Sequence, residues 1–138
     1  MKKYEIIEHT ADIGIKAFGR DVKELFNNAA IGMFEIISNS KDVEAKERME
    51  LELEAENIEE LFISWLRELL YQFNANLFIF KEFFIREITP TSLKALAWFE
   101  PIEKNRHQID AEIKAVTYHE LKIEQRDSGW QAQVIFDV

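Results

Sequence analysis

Two places along this chain carry acidic residues whose position could serve chemistry. Asp12 lies in Glu8-His9-Thr10-Ala11-Asp12-Ile13-Gly14, a polar corner between two segments of strand-like sequence. Asp137 is the penultimate residue, and the terminal carboxylate of Val138 follows at once. Two negative charges this close repel each other unless a cation, a hydrogen-bond donor or solvent separates them. The segment at Asp137 is therefore a candidate cation site, and the corner at Asp12 is a second place of interest.

Each place also has an ordinary structural explanation. An aspartate in a corner commonly bonds its own backbone in an Asx turn. A chain end is commonly frayed and solvated. Against fraying, the last segment, Val134-Ile135-Phe136-Asp137-Val138, stays apolar almost to its final residue, which suggests that it pairs within a sheet.

The usual signatures of catalysis are missing from the sequence. It has no cysteine, no G-x-S-x-G elbow, no P-loop and no dinucleotide-binding glycine motif. His9, His107 and His119 are far apart and lack the i, i+4 spacing of a helical zinc site. The sequence therefore predicts a protein that is not an enzyme.

Composition and charge narrow the class of protein further. The 138 residues suit a single domain spanning 1–138, and 47% apolar content excludes disorder. The N-terminus lacks the apolar run of a signal peptide, and no segment is long enough to span a bilayer. We expect a soluble cytoplasmic protein with no membrane partner.

The net charge of −9, from 17 basic and 26 acidic residues, comes without any dense basic run. Nucleic-acid affinity depends on clustered Lys and Arg. We expect no direct nucleic-acid binding, so a role in RNA metabolism would pass through another protein.

The pattern of apolar residues predicts an α+β fold of mainly antiparallel sheet packed with two amphipathic helices. One helix should begin after Asp21, with Glu24 completing a capping box, and the other after Asn57, with Glu60 in the same role. The aromatic stripe of the second helix is typical of a core. Strands are predicted over 4–8, 13–18, 49–55, 77–88, 92–100, 114–125 and 130–137, and the stretch 102–113 stays ambiguous.

The predicted strand 49–55 alternates strictly between apolar residues and glutamates. Residues 41–60 hold nine acidic and three basic residues, a net charge of −6. Such a run is usually a solvated face. The alternative is a docking surface for a basic partner.

Three segments of the chain together resemble the archease family. They are Glu8-His9-Thr10-Ala11-Asp12-Ile13-Gly14-Ile15, the segment from Ile113 through Thr117-Tyr118-His119 to Leu121, and Trp130 through Phe136-Asp137-Val138. The middle of the chain, from Glu60-Leu61 to Leu70-Tyr71, fits as well. The resemblance runs from the first strand to the last residue, and three motifs in the right order are far more specific than one.

The resemblance implies a function and a set of site residues. Archeases are non-enzymatic cofactor proteins of the GTP-dependent RtcB-type RNA ligase that joins tRNA halves, and they promote its guanylylation and repeated turnover. The family binds a divalent cation, taken to be calcium, and those ligand roles fall on Asp12, Asp137 and the terminal carboxylate of Val138. These hard oxygen donors suit calcium or magnesium. The resemblance assigns no ligand role to Glu8, His9 or His119.

Other interpretations remain open at this point. The ligase could be activated by delivery of a metal ion or by a conformational shift. A second function is that of a chaperone that modulates the specificity of a tRNA-modifying methyltransferase. A third is a metal hydrolase using Asp12 and Asp137, which lacks an evident general base beyond His9 or Glu8. The oligomeric state is also open.

Overall fold

The computed structural model describes residues 2–8 and 11–138. Seven strands and two helices follow one another as β-β-α-β-α-β-β-β-β within these ranges. The strands are β1 (Tyr4–Glu8), β2 (Ile13–Gly19), β3 (Glu47–Glu54), β4 (Phe78–Thr89), β5 (Ser92–Pro101), β6 (Ala115–Arg126) and β7 (Gly129–Asp137), and the helices are α1 (Val22–Ile37) and α2 (Ile58–Asn76). The predicted α+β class is confirmed.

The strands form two antiparallel sheets, of which one has the order β1-β2-β7-β6 and the other β3-β5-β4. Both helices contact strands of both sheets. The helices therefore lie between the sheets, and each sheet keeps one face turned away from them. The last strand, β7, lies beside the first hairpin, because it pairs with β2.

Both helices begin where the capping signals predict. The side chain of Asp21 accepts a hydrogen bond from the Glu24 amide at 2.8 Å, and the side chain of Asn57 accepts one from the Glu60 amide at 2.9 Å. Each bond satisfies an amide that has no partner within its helix. The second helix ends at Asn76 and is capped by Leu77, which adopts a left-handed conformation with φ of 59°.

The predicted core is confirmed on both helices. Phe26 and Phe62 lie edge to face with ring centroids 5.2 Å apart. The buried Trp65 donates its indole N–H to the carbonyl of Phe26 at 2.9 Å. This bond satisfies the one polar atom of a large apolar side chain, as a buried tryptophan requires. In the described part of the chain, no helix is long and apolar enough to cross a membrane.

The stretch 102–114, which joins the two sheets, contains no strand of its own apart from an isolated bridge between Ser38 and Ile109. It is fixed to the end of α1, since Ser38 donates its hydroxyl to the carbonyl of Gln108 at 2.6 Å and Asp110 donates its amide to the carbonyl of Ile37 at 2.8 Å. Because these contacts join positions so distant in sequence, no local pattern reveals the structure of this stretch.

Candidate metal-binding site

Asp12 and Asp137 lie at the same end of two neighbouring strands. Asp12 immediately precedes β2, and Asp137 is the last residue of β7. The two strands are antiparallel, and their final pair is Ile13 with Phe136. Continuing this register by one residue would bring Asp12 opposite Asp137, at the Cα separation of about 4.5–5.5 Å that is typical of an antiparallel pair.

Alternation along the strands directs both aspartates away from the helices. Phe136 is fully buried among the core residues, and Ile13 packs against that core. Because successive side chains in a strand point to opposite faces, the neighbouring Asp12 and Asp137 belong to the outer face of the four-stranded sheet. Asp12 is half-buried there and Asp137 is exposed.

The end of the chain is held in the sheet. The carbonyl of Asp137 accepts a hydrogen bond from the Lys114 amide at 2.7 Å, and Ala115 pairs with Asp137 across β6. Val138 follows directly and is 41% exposed. The predicted pairing of the last strand up to its end is confirmed.

Gly14 helps to shape this end of the sheet. A Cβ atom at Gly14 would lie 2.6 Å from the carbonyl oxygen of Val134 and 2.7 Å from Cδ1 of Ile135. The missing side chain lets Ile135 lie over β2, which leaves Ile135 only 1% exposed although it belongs to the outer face. The acidic end thus borders a closed apolar surface.

The chemistry of these donors fits a hard divalent cation. Within residues 2–8 and 11–138, neither a hydrogen-bond donor nor a cationic side chain lies within bonding distance of the carboxylate of Asp12 or of Asp137. Two like charges on adjacent strands destabilise each other, which a bound cation would relieve. Calcium takes carboxylate and other oxygen donors. Among the described residues no three His, Asp or Glu side chains converge, so a site here needs the terminal carboxylate or other oxygens as well.

The other residues of the sequence motifs have different positions. His9, to which the sequence assigns no role, and Thr10 lie outside the described residues, whereas Glu8 ends β1 and is exposed. His119 lies in a bulge of β6, where residues 118–121 oppose the single residue Val134 of β7. It joins no cluster of three potential metal-binding side chains in the described part of the chain.

Specific contacts and an unusual backbone conformation define the structure of this bulge. Glu120 has φ of 53°, which is rare for a residue with a side chain. Its carbonyl accepts a hydrogen bond from the side chain of Gln133 at 3.1 Å. The ring of Tyr118, 49% exposed, lies 5.1 Å from the guanidinium of Arg67. The strand-like sequence of 114–125 gives no sign of this bulge.

A second carboxylate centre is one that the sequence does not predict. Glu100, near the end of β5, is fully buried. It accepts hydrogen bonds from Arg106, from the amide of Glu44 at 2.5 Å and from Nε2 of His107 at 3.0 Å. Nδ1 of His107 accepts a hydrogen bond from the backbone N–H of Glu103, at an N–N distance of 2.9 Å. The ring proton of His107 therefore lies on Nε2 and faces Glu100.

Hydrogen bonding decides the protonation state of Glu100. Burial by itself raises the pKa of this carboxyl, but hydrogen bonds from Arg106, the Glu44 amide and His107 lower the pKa to about 2. A histidine beside a carboxylate resembles an acid–base pair. Here the two side chains are 0% and 1% exposed, so no substrate reaches them. The centre is structural.

The outer face of the four-stranded sheet also carries cations that the sequence does not group. Lys16 of β2 and Lys122 of β6 both lie opposite Gln133 of β7, and Arg126 is nearby. The charge is partly compensated, because Arg126 pairs with Glu124 at 2.6 Å and Glu5 lies opposite Lys16. The strands bring together lysines that are more than 100 positions apart in the sequence.

Comparison with known proteins agrees with the fold and with the motifs. The sequence profile of the Archease protein family (MTH1598/TM1083) matches residues 4–138. "Protein archease" of Methanosarcina mazei is 42% identical over 141 residues, covering 99% of this chain and 97% of that protein. "Protein archease" of Pyrococcus abyssi is 40% identical over 142 residues and both chains are covered completely.

Two solved structures are similar to this one. The solution structure of protein 1598 of Methanobacterium thermoautotrophicum has a TM-score of 0.86 at 34% identity, with both chains covered completely. The crystal structure of "an archease, possible chaperone" from Thermotoga maritima has a TM-score of 0.68 at 25% identity, covering 96% of this chain and 94% of that one. None of these names describes a catalysed reaction. With its fold, its motifs and its full-length relatives in agreement, the chain belongs to the archease family.

Proposed function

We propose that this protein is a non-enzymatic, metal-binding activator of a GTP-dependent tRNA-splicing RNA ligase of the RtcB type. It promotes guanylylation of the ligase and allows the ligase to turn over repeatedly. Membership of the archease family supports this proposal. The observation that supports the metal-binding part is the register of β2 and β7, since its continuation beyond Ile13 and Phe136 would bring Asp12 opposite Asp137.

The residues at this end of the sheet have separate tasks in the proposal. The carboxylates of Asp12, Asp137 and Val138 hold a divalent cation, calcium or magnesium. Such an ion, when bound, neutralises phosphate charge during nucleotidyl transfer. The hydrogen bond from Lys114 to the Asp137 carbonyl fixes the strand end, so that the carboxylates are presented from a rigid sheet.

In this proposal the ligase, and not this protein, supplies the catalytic residues. The buried pair of Glu100 and His107 is closed to substrate, and among the described residues Asp12 and Asp137 join no cluster of three potential metal-binding side chains. General acid–base catalysis requires a base within hydrogen-bond reach of the reacting group. We therefore expect no ligase, nuclease or nucleotidase activity from this protein alone.

The test is ligation by the cognate ligase with and without this protein, in single-turnover and multiple-turnover form. We expect substoichiometric protein to raise both ligase guanylylation and the number of turnovers. A matched reaction without GTP shows whether the effect passes through guanylylation. Robust ligation by the protein alone, or an unchanged turnover number in its presence, would refute the proposal.

A second candidate is a chaperone that modulates the specificity of a tRNA-modifying methyltransferase. The description of the Thermotoga relative as "possible chaperone" favours it. The two candidates differ in their readout, because a chaperone changes the solubility and site preference of the methyltransferase and leaves ligase guanylylation unchanged. Assaying both enzymes with the same protein preparation separates them.

A further inference from the structure

The outer face of the three-stranded sheet is open over half of its length. Leu93, Ala95 and Ala97 of β5 are buried towards the helices. The alternate residues Leu96 and Trp98 therefore face away from the helices.

The cross-strand register extends this apolar surface onto β4. Phe84 pairs with Leu96. Phe84 is 54% exposed, Trp98 is half-buried, and Leu96, on the same strand as Trp98, is 8% exposed. We call these three side chains the aromatic strip. Large aromatic residues grouped on an otherwise polar surface are typical of protein–protein contact centres.

The other half of the same face is already covered by the chain itself. Glu100 pairs with Ile79, and both are buried although they lie on the outer face. Arg106 and His107, from the stretch after β5, cover them by bonding to Glu100. No described segment covers the aromatic strip in the same way, so the open half stands out against a closed half of the same sheet.

Acidic residues surround the aromatic strip. The register places five carboxylates on this half of the face against two cations, and one of those cations, Lys94, is already paired with a glutamate at 3.8 Å. The excess is therefore negative. The carboxylates are Glu50, Glu52 and Glu54 of β3 with Glu82 and Glu87 of β4, and the cations are Arg48 and Lys94.

We propose that the aromatic strip and its acidic rim form a docking surface for a protein whose own surface has cations around an apolar centre. Taking that protein to be the RNA ligase rests on the proposed function. An enzyme that grips RNA presents Lys and Arg to phosphates, which makes such a surface available to an acidic partner. RNA itself is repelled by the same carboxylates.

Affinity of the full-length protein for the ligase, measured by fluorescence anisotropy over a range of salt concentrations, tests this proposal. We expect Phe84→Ala and the double variant Glu50→Lys/Glu52→Lys each to weaken binding tenfold or more. The charge-reversed variant should also lose the salt dependence of the wild type.

Matched controls are available elsewhere on the chain. Tyr71→Ala removes an aromatic ring that is 58% exposed on α2, and Glu112→Lys reverses an exposed charge outside the rim. Both should bind within twofold of the wild type. Phe84 is exposed, so Phe84→Ala should keep its circular dichroism spectrum and melting behaviour.

Ligase activation at saturating protein separates this proposal from the proposed function. We call Phe84→Ala and Glu50→Lys/Glu52→Lys the face variants. If the wild type activates the ligase and the face variants bind the ligase as well as the wild type does, the proposed docking surface is wrong and the proposed function stands. If the wild type binds without activating and the face variants bind more weakly, the function fails and the docking surface stands. If the wild type neither binds nor activates, both fail.

A second copy of this chain is the competing occupant, because Lys16 and Lys122 offer a cationic face on the other sheet. Analytical ultracentrifugation of the wild type and of Phe84→Ala distinguishes binding of a second copy from binding of a different protein. Self-association of the wild type that Phe84→Ala abolishes would overturn the proposal in favour of a homotypic interface. A wild type that stays monomeric at the concentrations of the binding assay supports it.

Discussion

Glu100 lies near the end of one sheet and Asp137 at the end of the other, and their carboxylates have opposite surroundings. Glu100 is buried and accepts hydrogen bonds from Arg106, His107 and a backbone amide. Asp12 and Asp137 are partly or fully exposed and receive no such bond from a described residue. The first carboxylate is compensated from within the fold, whereas the second group is the one for which we propose a bound cation.

This difference separates structural from functional use of the same residue type. Removing one partner from a buried ion pair is costly, because the remaining charge is left uncompensated. Charges at exposed positions interact weakly through water, so a substitution there changes the stability of the fold little. Substitutions should therefore affect folding at Glu100 and metal binding at Asp12.

The largest effect is expected from Glu100→Ala. It leaves Nε2 of His107 and the amide of Glu44 without their acceptor and removes one of the acceptors of Arg106. This should lower the free energy of unfolding by about 3–5 kcal/mol. Urea denaturation monitored by tryptophan fluorescence measures it. Glu112→Ala, which removes an exposed carboxylate, is the control and should change stability by less than about 0.5 kcal/mol. Equal stability of the two variants would mean that the buried centre does not stabilise the fold.

Low pH should destabilise the fold through the carboxyl group of Glu100. Its pKa is about 2 in the fold and 4.5 in the unfolded chain, so its contribution is complete above pH 4.5 and is lost as the pH falls towards 2. At about 1.4 kcal/mol for each pKa unit, the loss is about 3 kcal/mol. Urea unfolding of wild type and Glu100→Gln between pH 6 and pH 2 measures the difference. Parallel pH profiles for the two proteins would contradict this assignment.

Calcium binding at Asp12, Asp137 and Val138 should change the free energy of unfolding by a similar or smaller amount. A ligand at about 100 times its Kd stabilises a protein by about 2.7 kcal/mol. We expect calcium to stabilise the wild type, and Asp12→Ala to fold normally without this gain. Extending the C-terminus converts the Val138 carboxylate to an amide and should also abolish the gain. Deleting Val138 moves the terminal carboxylate by about 3.3 Å, more than a calcium–oxygen bond of about 2.4 Å.

Calorimetric calcium titration and ligase turnover complete that comparison. Asp12→Ala and the extended form should bind calcium at least tenfold more weakly and lose ligase activation. An N-terminal extension, which precedes β1, is the matched control and should retain both. If the C-terminally extended form binds calcium as well as the wild type, Val138 is not a ligand and the site must lie around Asp12 and other residues.

The two centres also differ in how far the sequence predicts them. The helix caps at Asp21 and Asn57 are predictable because their partners lie three residues away. Asp12 and Asp137 are candidates by their types and positions, and the resemblance to archeases assigns their role. The burial of Glu100 is not predictable from the sequence. Its negative charge is compensated by residues of the stretch 102–114 and by the Glu44 amide, which is 56 positions away. The bulge at Glu120 and the row of Lys16 and Lys122 are hidden for the same reason, since cross-strand register creates them.

The smallest effect is expected in RNA binding. Because Lys16 and Lys122 lie together on one outer face, this expectation is tested strictly. Lys16 and Lys122 could in principle hold a phosphate, but Arg126 is paired with Glu124, and the chain carries a net charge of −9. The field of the whole protein therefore repels a polyphosphate before those lysines are reached. We expect no micromolar binding of tRNA halves in gel-shift titrations at low salt. If RNA does bind and Lys122→Glu removes the binding, local assembly of cations outweighs net charge in this protein. If RNA binds equally well to Lys122→Glu and to Glu50→Lys/Glu52→Lys, it binds elsewhere, and neither outer face accounts for it.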